Sequence, residues 1–165
     1  MNNAIYREEQ RFRQVWIWLL LALLVGVAWW GFVQQIILGK VFGDNPAPDV
    51  VMWIIWLIFG IGFPLFFYYL RLVVEVRSDG IHIRYFPIYS RTIAFKDIKS
   101  YEVRQYRPIL DYGGWGIRWS SRTGTAYDVS GNRGVMLELS DGKRILIGSQ
   151  EPEMLAQAMG TAMNR

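Results

Sequence analysis

The 165-residue chain contains no cysteine and a single histidine, His82. The absence of cysteine excludes a disulfide framework, a thiol nucleophile, and any zinc or iron–sulfur site built on thiolates. A single histidine excludes a metal site that needs several imidazole ligands. Charged residues are also scarce, at 19% against roughly 25% in an ordinary soluble domain. Hydrophobic residues make up 52%, which is too much apolar surface for an intrinsically disordered chain.

Two long segments, Val15–Val33 and Val50–Leu70, carry no charged side chain. A helix rises about 1.5 Å per residue, so each segment would be roughly 30 Å long, the thickness of a bilayer core. Neither segment has the polar stripe that a core helix of a soluble protein would show. A signal peptide has a shorter apolar region that ends at small residues, whereas the first segment ends near Trp29, Trp30 and Phe32. The sequence therefore predicts two transmembrane helices.

Cations flank the two apolar segments on one side of the predicted hairpin: Arg7, Arg11, Arg13, Arg71 and Arg77. The loop between the segments contains only Lys40 together with Asp44 and Asp49. Because positive charge favours the cytoplasmic side, both termini are predicted to be cytoplasmic. The predicted organisation is a cytoplasmic tail over residues 1–14, transmembrane helices over 15–38 and 50–70, an external loop over 39–49 and a cytoplasmic domain over 71–165.

Residues 71–165 show the alternation of apolar and polar side chains that is typical of β-strands. The dipeptides Asp79-Gly80 and Asp141-Gly142 each lie between two alternating segments, and such dipeptides favour tight hairpin turns. A helix is predicted from Pro152, where apolar residues follow at helical spacing. The pattern predicts about seven strands, folded as a bent antiparallel barrel that this helix caps. We expect the region to fold without the apolar segments.

Local runs in this region are similar to those of a known family: Asp79–Ile81, Ile93–Ile98, Tyr112–Arg118, Ser130–Val135 and Asp141–Gln150. With the two apolar segments, they resemble small bacterial membrane proteins that join transmembrane helices to a C-terminal pleckstrin-homology-like (PH-like) domain. The resemblance implies an α+β membrane protein, with a two-helix transmembrane hairpin followed by a seven-stranded PH-like β-barrel capped by a C-terminal helix. It also implies a multi-pass protein of the bacterial cytoplasmic membrane. The members that it resembles are functionally uncharacterised, so the resemblance transfers no activity.

The sequence contains no recognisable catalytic or cofactor motif. His82 lies on the polar side of a predicted strand, with no identifiable serine–acid partner nearby. The glycines at Gly114 and Gly116 are followed by Trp119 rather than by the third glycine of a dinucleotide-binding fingerprint. We therefore predict a protein that is not an enzyme and that has no cofactor, no metal and no nucleic-acid partner.

The segment from Tyr112 to Arg133 combines glycines with tryptophan and arginine. Gly113, Gly114 and Gly116 weaken a strand, so they indicate a bend or bulge beneath which the tryptophans pack. Alternatively, the segment is a binding surface, since tryptophan and arginine are enriched at interaction hot spots. Under this second interpretation the candidate binding residues are Trp115, Arg118, Trp119, Arg122 and Arg133.

Two functions are compatible with these features. The first is a membrane-anchored, non-enzymatic binding or scaffold module that presents the PH-like domain at the cytoplasmic membrane surface. Its partners would be the lipid bilayer and either another protein or a second copy of the chain. The second is an accessory subunit of a larger membrane transporter or permease complex, in which the two helices dock against that complex.

Overall fold

The computed structural model describes residues 4–164, so residues 1–3 of the predicted tail lie outside the described part. The chain divides into two units. The first, Arg13–Leu70, is called the apolar unit. The second joins the residues up to Phe12 to those from Arg71 onward and is called the β unit. The apolar unit is therefore an insertion within the chain of the β unit.

The apolar unit contains two helices that are long and apolar enough to cross a membrane, Val15–Ile37 and Asp49–Tyr69. Their mean hydropathies are 2.1 and 2.4. Within the most apolar 18-residue stretch of each helix, only 22% and 11% of the residues are buried. In the first, helix α1 (Val15–Phe32) continues as a π-helical stretch through Val33–Ile37. Most of the apolar surface of these helices is therefore not covered by other residues of the described chain.

The second long helix changes its winding before a proline. It consists of α2 (Asp49–Ile55), a π-helical stretch over Trp56–Gly62, and α3 (Phe63–Tyr69), which has Pro64 in its first turn. Proline lacks an N–H group and crowds the carbonyl four residues earlier, and a π-helical turn relieves both problems locally. Aromatic rings join the two helices, since Phe32 stacks on Trp56 with ring centroids 4.5 Å apart.

Within residues 4–164, the β unit contains nine strands in two sheets. The first sheet is antiparallel, in the order β1-β2-β3-β4, with β1 (Tyr6–Arg11), β2 (Arg71–Arg77), β3 (Gly80–Phe86) and β4 (Tyr89–Ala94). The second has the order β5-β8-β9-β7-β6, with β5 (Ile98–Gln105), β6 (Gly116–Ser120), β7 (Gly124–Asp128), β8 (Arg133–Leu139) and β9 (Arg144–Gly148). A short 3-10 helix, Phe95–Asp97, connects the sheets. Helix α4 (Pro108–Tyr112) precedes β6, and helix α5 (Pro152–Met163) follows β9.

Both hairpins predicted from the sequence are confirmed. Asp79-Gly80 connects β2 to β3, and Asp141-Gly142 connects β8 to β9. The strand count and the barrel differ from the prediction, because the described strands form two sheets of four and five strands and no closed barrel. Two features account for the difference: β7 pairs with β9 in parallel, and β1 adds a strand from the region predicted to be a tail.

The core of the β unit lies between the sheets and beneath α5. Its largest fully buried side chains come from both sheets and include Leu72, Ile83, Tyr127, Leu137 and Ile147. Helix α5 contacts β2, β5 and β8 and contributes Leu155 and Met159, which are also fully buried. The predicted C-terminal helix is therefore confirmed, and it packs through the apolar face that its sequence pattern indicated.

Candidate functional site

The turn between β6 and β7 and the turn between β8 and β9 lie at the same end of the second sheet. They do so because β7 and β9 are parallel neighbours, with Thr125 opposite Ile145. The approach is close at Gly124, whose φ of +89° favours glycine. A Cβ atom there would collide with the carbonyl oxygen of Arg144. The glycine therefore allows the β6–β7 turn, which carries Arg122, to lie against the start of β9.

Two pockets meet at this end of the sheet. The first, of about 650 Å³, is lined by four arginines: Arg104, Arg107, Arg122 and Arg144. Tyr106, Tyr112 and Met136 also line it, and these three residues are buried in one hydrophobic cluster. The second pocket, of about 410 Å³, is lined by the cations Arg91, Arg122, Lys143 and Arg144, and by Trp119 and small polar residues. We call the combined surface the basic groove; its cations are Arg91, Arg104, Arg107, Arg122, Lys143 and Arg144.

Helix α4 forms one wall of the first pocket and is fixed to the β6–β7 turn by hydrogen bonds. The hydroxyl of Thr123 donates to the backbone oxygen of Asp111 at 3.0 Å, and the hydroxyl of Tyr112 donates to the backbone oxygen of Thr123 at 3.4 Å. The Asp111 carboxylate accepts a bond from the backbone N–H of Arg107 at 2.8 Å. These bonds hold the turn that carries Arg122 in a defined position at the pocket rim.

The cations of the basic groove differ in how far neighbouring carboxylates neutralise them. Lys143 pairs with Asp141 at 2.7 Å, whereas Arg104 and Arg107 have carboxylate partners at 3.8 Å. Among residues 4–164, no carboxylate lies within ion-pair distance of Arg122 or Arg144. These two arginines line both pockets. Glu138 lies opposite Arg144 in the strand register, but it forms its ion pair with Lys99 at 2.9 Å. Since neither arginine is held in an ion pair within the described chain, the place where the pockets meet is suited to an anion.

The structure separates the five candidate residues predicted from the sequence. Trp119, which is 75% exposed, and Arg122 lie together on the second pocket. Trp115 donates its indole N–H to the backbone oxygen of Gly131 at 2.9 Å, and Arg118 donates its Nε–H to the backbone oxygen of Trp115 at 3.1 Å. Because side chains alternate along β6, Arg118 and Trp119 point to opposite faces of the sheet.

The fifth candidate, Arg133, lies at the start of β8 and forms an ion pair with Glu153 of α5. Its charge is therefore engaged within the protein. Sequence reasoning missed the other cations of the basic groove, of which Lys143 and Arg144 directly follow the Asp141-Gly142 turn. Their position after a predicted turn could have marked them as exposed candidates. That this turn lies beside the β6–β7 turn depends on the parallel pairing of β7 and β9.

A buried carboxylate, Asp128, organises the glycine-rich segment next to this site. It accepts hydrogen bonds from the Tyr106 hydroxyl at 2.7 Å and from the backbone N–H of Gly116 at 2.9 Å. Gly113 ends α4 in the left-handed conformation, and Gly116 has a φ of +118°. These contacts favour a structural role for the glycines, as a helix end and a strand entry. The expected packing of the tryptophans beneath them is not present for Trp119, which is exposed. Burial raises the pKa of Asp128, although the bonds from Tyr106 and Gly116 oppose that effect.

Replacing Asp128 by alanine is expected to lower the free energy of unfolding of the β unit by about 2–4 kcal/mol. The change leaves the buried Tyr106 hydroxyl and the Gly116 N–H without their acceptor. Asp128→Asn is the matched control, because an amide oxygen still accepts a bond and the side-chain volume is kept. Denaturant unfolding of the full chain in neutral detergent measures both. Equal stability of Asp128→Ala and wild type would contradict the assigned role.

The raised pKa of Asp128 also predicts the sign of a pH effect. A carboxyl whose folded-state pKa lies above its unfolded value favours the folded state most when protonated. Its contribution is therefore fully present below the unfolded pKa, about 3.9, and is lost as pH rises through the folded value. As the pH rises through the folded-state pKa of Asp128, we expect the free energy of unfolding of Asp128→Asn to increase relative to that of wild type. A difference between the two proteins that is constant with pH would contradict the raised pKa.

Among residues 4–164, no group of three or more histidine, aspartate or glutamate side chains is placed to hold a metal ion.

A family described as "Family of unknown function (DUF6141)" matches residues 2–165 of the chain. No curated protein and no solved structure matches the chain.

Proposed function

Since the chain belongs to this family of unknown function (DUF6141), we propose its function from its own structure: a membrane-anchored, non-enzymatic binding module. In this proposal the two helices of the apolar unit span the bacterial cytoplasmic membrane, and they hold the β unit, as a PH-like domain, at the cytoplasmic surface. The observation that carries the binding role is that, in the described chain, neither Arg122 nor Arg144 is held in an ion pair at the place where the two pockets of the basic groove meet.

The strand pairing within the β unit supports the two-span arrangement. Arg11, just before the first long helix, lies opposite Arg71, just after the second. A chain that leaves a domain at one residue and returns at its immediate neighbour must cross a membrane an even number of times. Two helices of suitable length and hydropathy lie between these residues. The arginines near both points favour the cytoplasmic side.

The arrangement of the sheets supports a PH-like domain. Two sheets pack face to face: the Tyr85 hydroxyl of β3 donates to the backbone oxygen of Asp128 at 3.2 Å, and the rings of Tyr89 and Tyr127 are stacked. The helix that follows the last strand covers the core. Two packed sheets followed by a C-terminal helix support the PH-like proposal. The nine described strands are two more than the seven that the sequence resemblance implies, and they form two sheets rather than a closed barrel.

The proposed topology predicts which positions react with a membrane-impermeant thiol reagent in intact cells. The chain has no cysteine, so single replacements report without background. Asn45→Cys, between the two helices, is expected to react, and Ser121→Cys, on the β6–β7 turn, is expected to react only after the cells are permeabilised. Both residues are exposed. Labelling of Ser121→Cys in intact cells would contradict the proposed function, because it would place the basic groove outside the cytoplasm.

A further inference from the structure

Arg122 and Arg144 of the basic groove differ from the cations of the first hairpin in what they contact. In the β2–β3 hairpin, Arg77 donates to Glu75 at 3.0 Å, and His82 contacts Asp79 at 3.0 Å. Burial alone would raise the pKa of Glu75, but the nearby charges of Arg77 and Arg7 have the larger effect and lower it. Both arginines are therefore engaged with the Glu75 carboxylate. No comparable carboxylate neutralises Arg122 or Arg144 in the described chain. Arg122 and Arg144 thus carry no ion pair with any described residue at the place where two pockets meet.

We propose that the basic groove binds phosphate groups, with Arg122 and Arg144 as their main ligands. This inference rests on the proposed function, because it names the ligand class of the same binding module. Guanidinium groups hold phosphate oxygens through paired, charge-assisted hydrogen bonds, and two arginines that share a rim can hold one phosphate between them. The remaining arginines extend the positive surface, so a ligand with several phosphates is favoured over a single carboxylate.

The other groups of the groove suit such a ligand. Arg104 and Arg107 are more than half exposed, and their carboxylate partners at 3.8 Å are too distant for short hydrogen bonds. Pairs of this kind contribute little, so these side chains can turn toward a phosphate at small cost. The acidic lining residue, Asp111, carries a negative charge and opposes an anion, but the four arginines of the first pocket outnumber it. Trp119 offers an exposed ring at the edge of the second pocket.

The experiment measures binding of inorganic tripolyphosphate to the full chain by calorimetry, in nanodiscs of phosphatidylcholine. Wild type is expected to bind, and Arg122→Gln with Arg144→Gln is expected to weaken binding at least tenfold. The control, Arg84→Gln with Lys96→Gln, removes the same charge from two exposed residues outside the groove and is expected to weaken binding less than threefold. Circular dichroism checks that both double variants are folded. Equal weakening by the two pairs would overturn the proposal, because net charge alone would then explain binding.

A second arm asks whether the phosphate belongs to a lipid. Ser121→Cys, next to Arg122, carries a polarity-sensitive fluorophore, and the nanodiscs contain either phosphatidylcholine alone or added phosphatidylglycerol. A blue shift with phosphatidylglycerol that the Arg122→Gln, Arg144→Gln variant loses identifies a lipid headgroup as the source. Tripolyphosphate binding without that shift identifies a soluble phosphorylated ligand.

The absence of both tripolyphosphate binding and the blue shift would overturn the phosphate site. The two proposals fail separately. A chain with Ser121 on the cytoplasmic side and no response to phosphate loses the phosphate site but keeps its anchored topology. A chain with Ser121 outside the cytoplasm loses the proposed function itself, whatever its response to tripolyphosphate.

Discussion

Removal of β1 is expected to unfold the β unit, and its reattachment through a short turn is expected to restore the fold. β1 pairs with β2 along its whole length, from Tyr6 opposite Val76 to Arg11 opposite Arg71. The Gln10 side chain of β1 is buried, and its amide N–H donates to the backbone oxygen of Gly148 in the other sheet at 2.7 Å. The strand therefore both completes the first sheet and connects it to the second.

Glu8 is the main polar link that β1 provides. Its carboxylate accepts hydrogen bonds from Tyr6, from Gln10, from the Ser149 hydroxyl at 2.6 Å and from the Gln150 backbone N–H at 2.7 Å. The Ser149 hydroxyl in turn accepts a bond from the backbone N–H of Glu151, just before α5. The first strand of the unit thus fixes the start of its last helix.

The test compares two soluble proteins. In one, residues 12–70 are replaced by an Asn-Gly turn, which suits a tight hairpin because Arg11 lies opposite Arg71. The other contains only residues 71–165. We expect the spliced protein to unfold cooperatively, with a free energy of unfolding higher by about 3 kcal/mol or more, since several backbone and charge-assisted bonds are restored. The sequence pattern predicted that residues 71–165 fold alone, but the structure places β1 in the same unit. Domains of this size are only marginally stable, so residues 71–165 without β1 are now expected to be largely unfolded.

A matched pair within the spliced protein separates the Glu8 network from general effects of the strand. Glu8→Ala is expected to destabilise it strongly, because four donors lose their acceptor. Arg7→Ala on the same strand removes a 3.6 Å pair with Glu75, but Arg77 still pairs with that carboxylate, so the expected change in the free energy of unfolding is below about 1 kcal/mol. Equal stability of the spliced protein and of residues 71–165 alone would contradict the role of β1.

Leu155→Asp is expected to destabilise the β unit by about 4 kcal/mol or more, which is most of the stability of a domain of this size. Leu155 is fully buried where α5 packs on both sheets, so the change removes apolar contacts and buries an unpaired carboxylate. Met154→Asp is the control, because that neighbouring side chain is 54% exposed on the same helix. Denaturant unfolding of the spliced protein provides the measurement. Similar stability of the two variants would contradict the packing of α5.

Local patterns were sufficient to predict several elements of this fold. The turns at Asp79-Gly80 and Asp141-Gly142 depend on backbone preferences of adjacent residues, and both are present. Helix α5 depends on an apolar face repeated within twelve residues, and it begins at Pro152 as expected. The two long apolar helices depend only on composition over about twenty residues. Each of these signals lies within the element that it predicts.

Other elements depend on residues far away in the chain. The segment Tyr6–Arg11 is polar and was not predicted as a strand, because its partners Ser149 and Gly148 lie 141 and 138 positions from Glu8 and Gln10. The candidate site has the same origin. Arg122 and Arg144 share a rim only because β7 pairs in parallel with β9, and no local pattern specifies that pairing.

The insertion of the apolar unit between β1 and β2 has a consequence for biosynthesis. About 60 residues separate Arg11 from Arg71, and at roughly 5–20 residues per second β1 waits on the order of 3–12 s for its partner strand. In the proposed membrane setting, a chain in which only one helix inserts leaves β1 and β2 on opposite sides of the bilayer. The edge of β2 then stays open, and Ser149 and Gln150 lose the Glu8 carboxylate. The cytoplasmic domain would therefore be completed only in chains in which both helices have inserted. Chains with one inserted helix would expose an unpaired strand to cellular proteases.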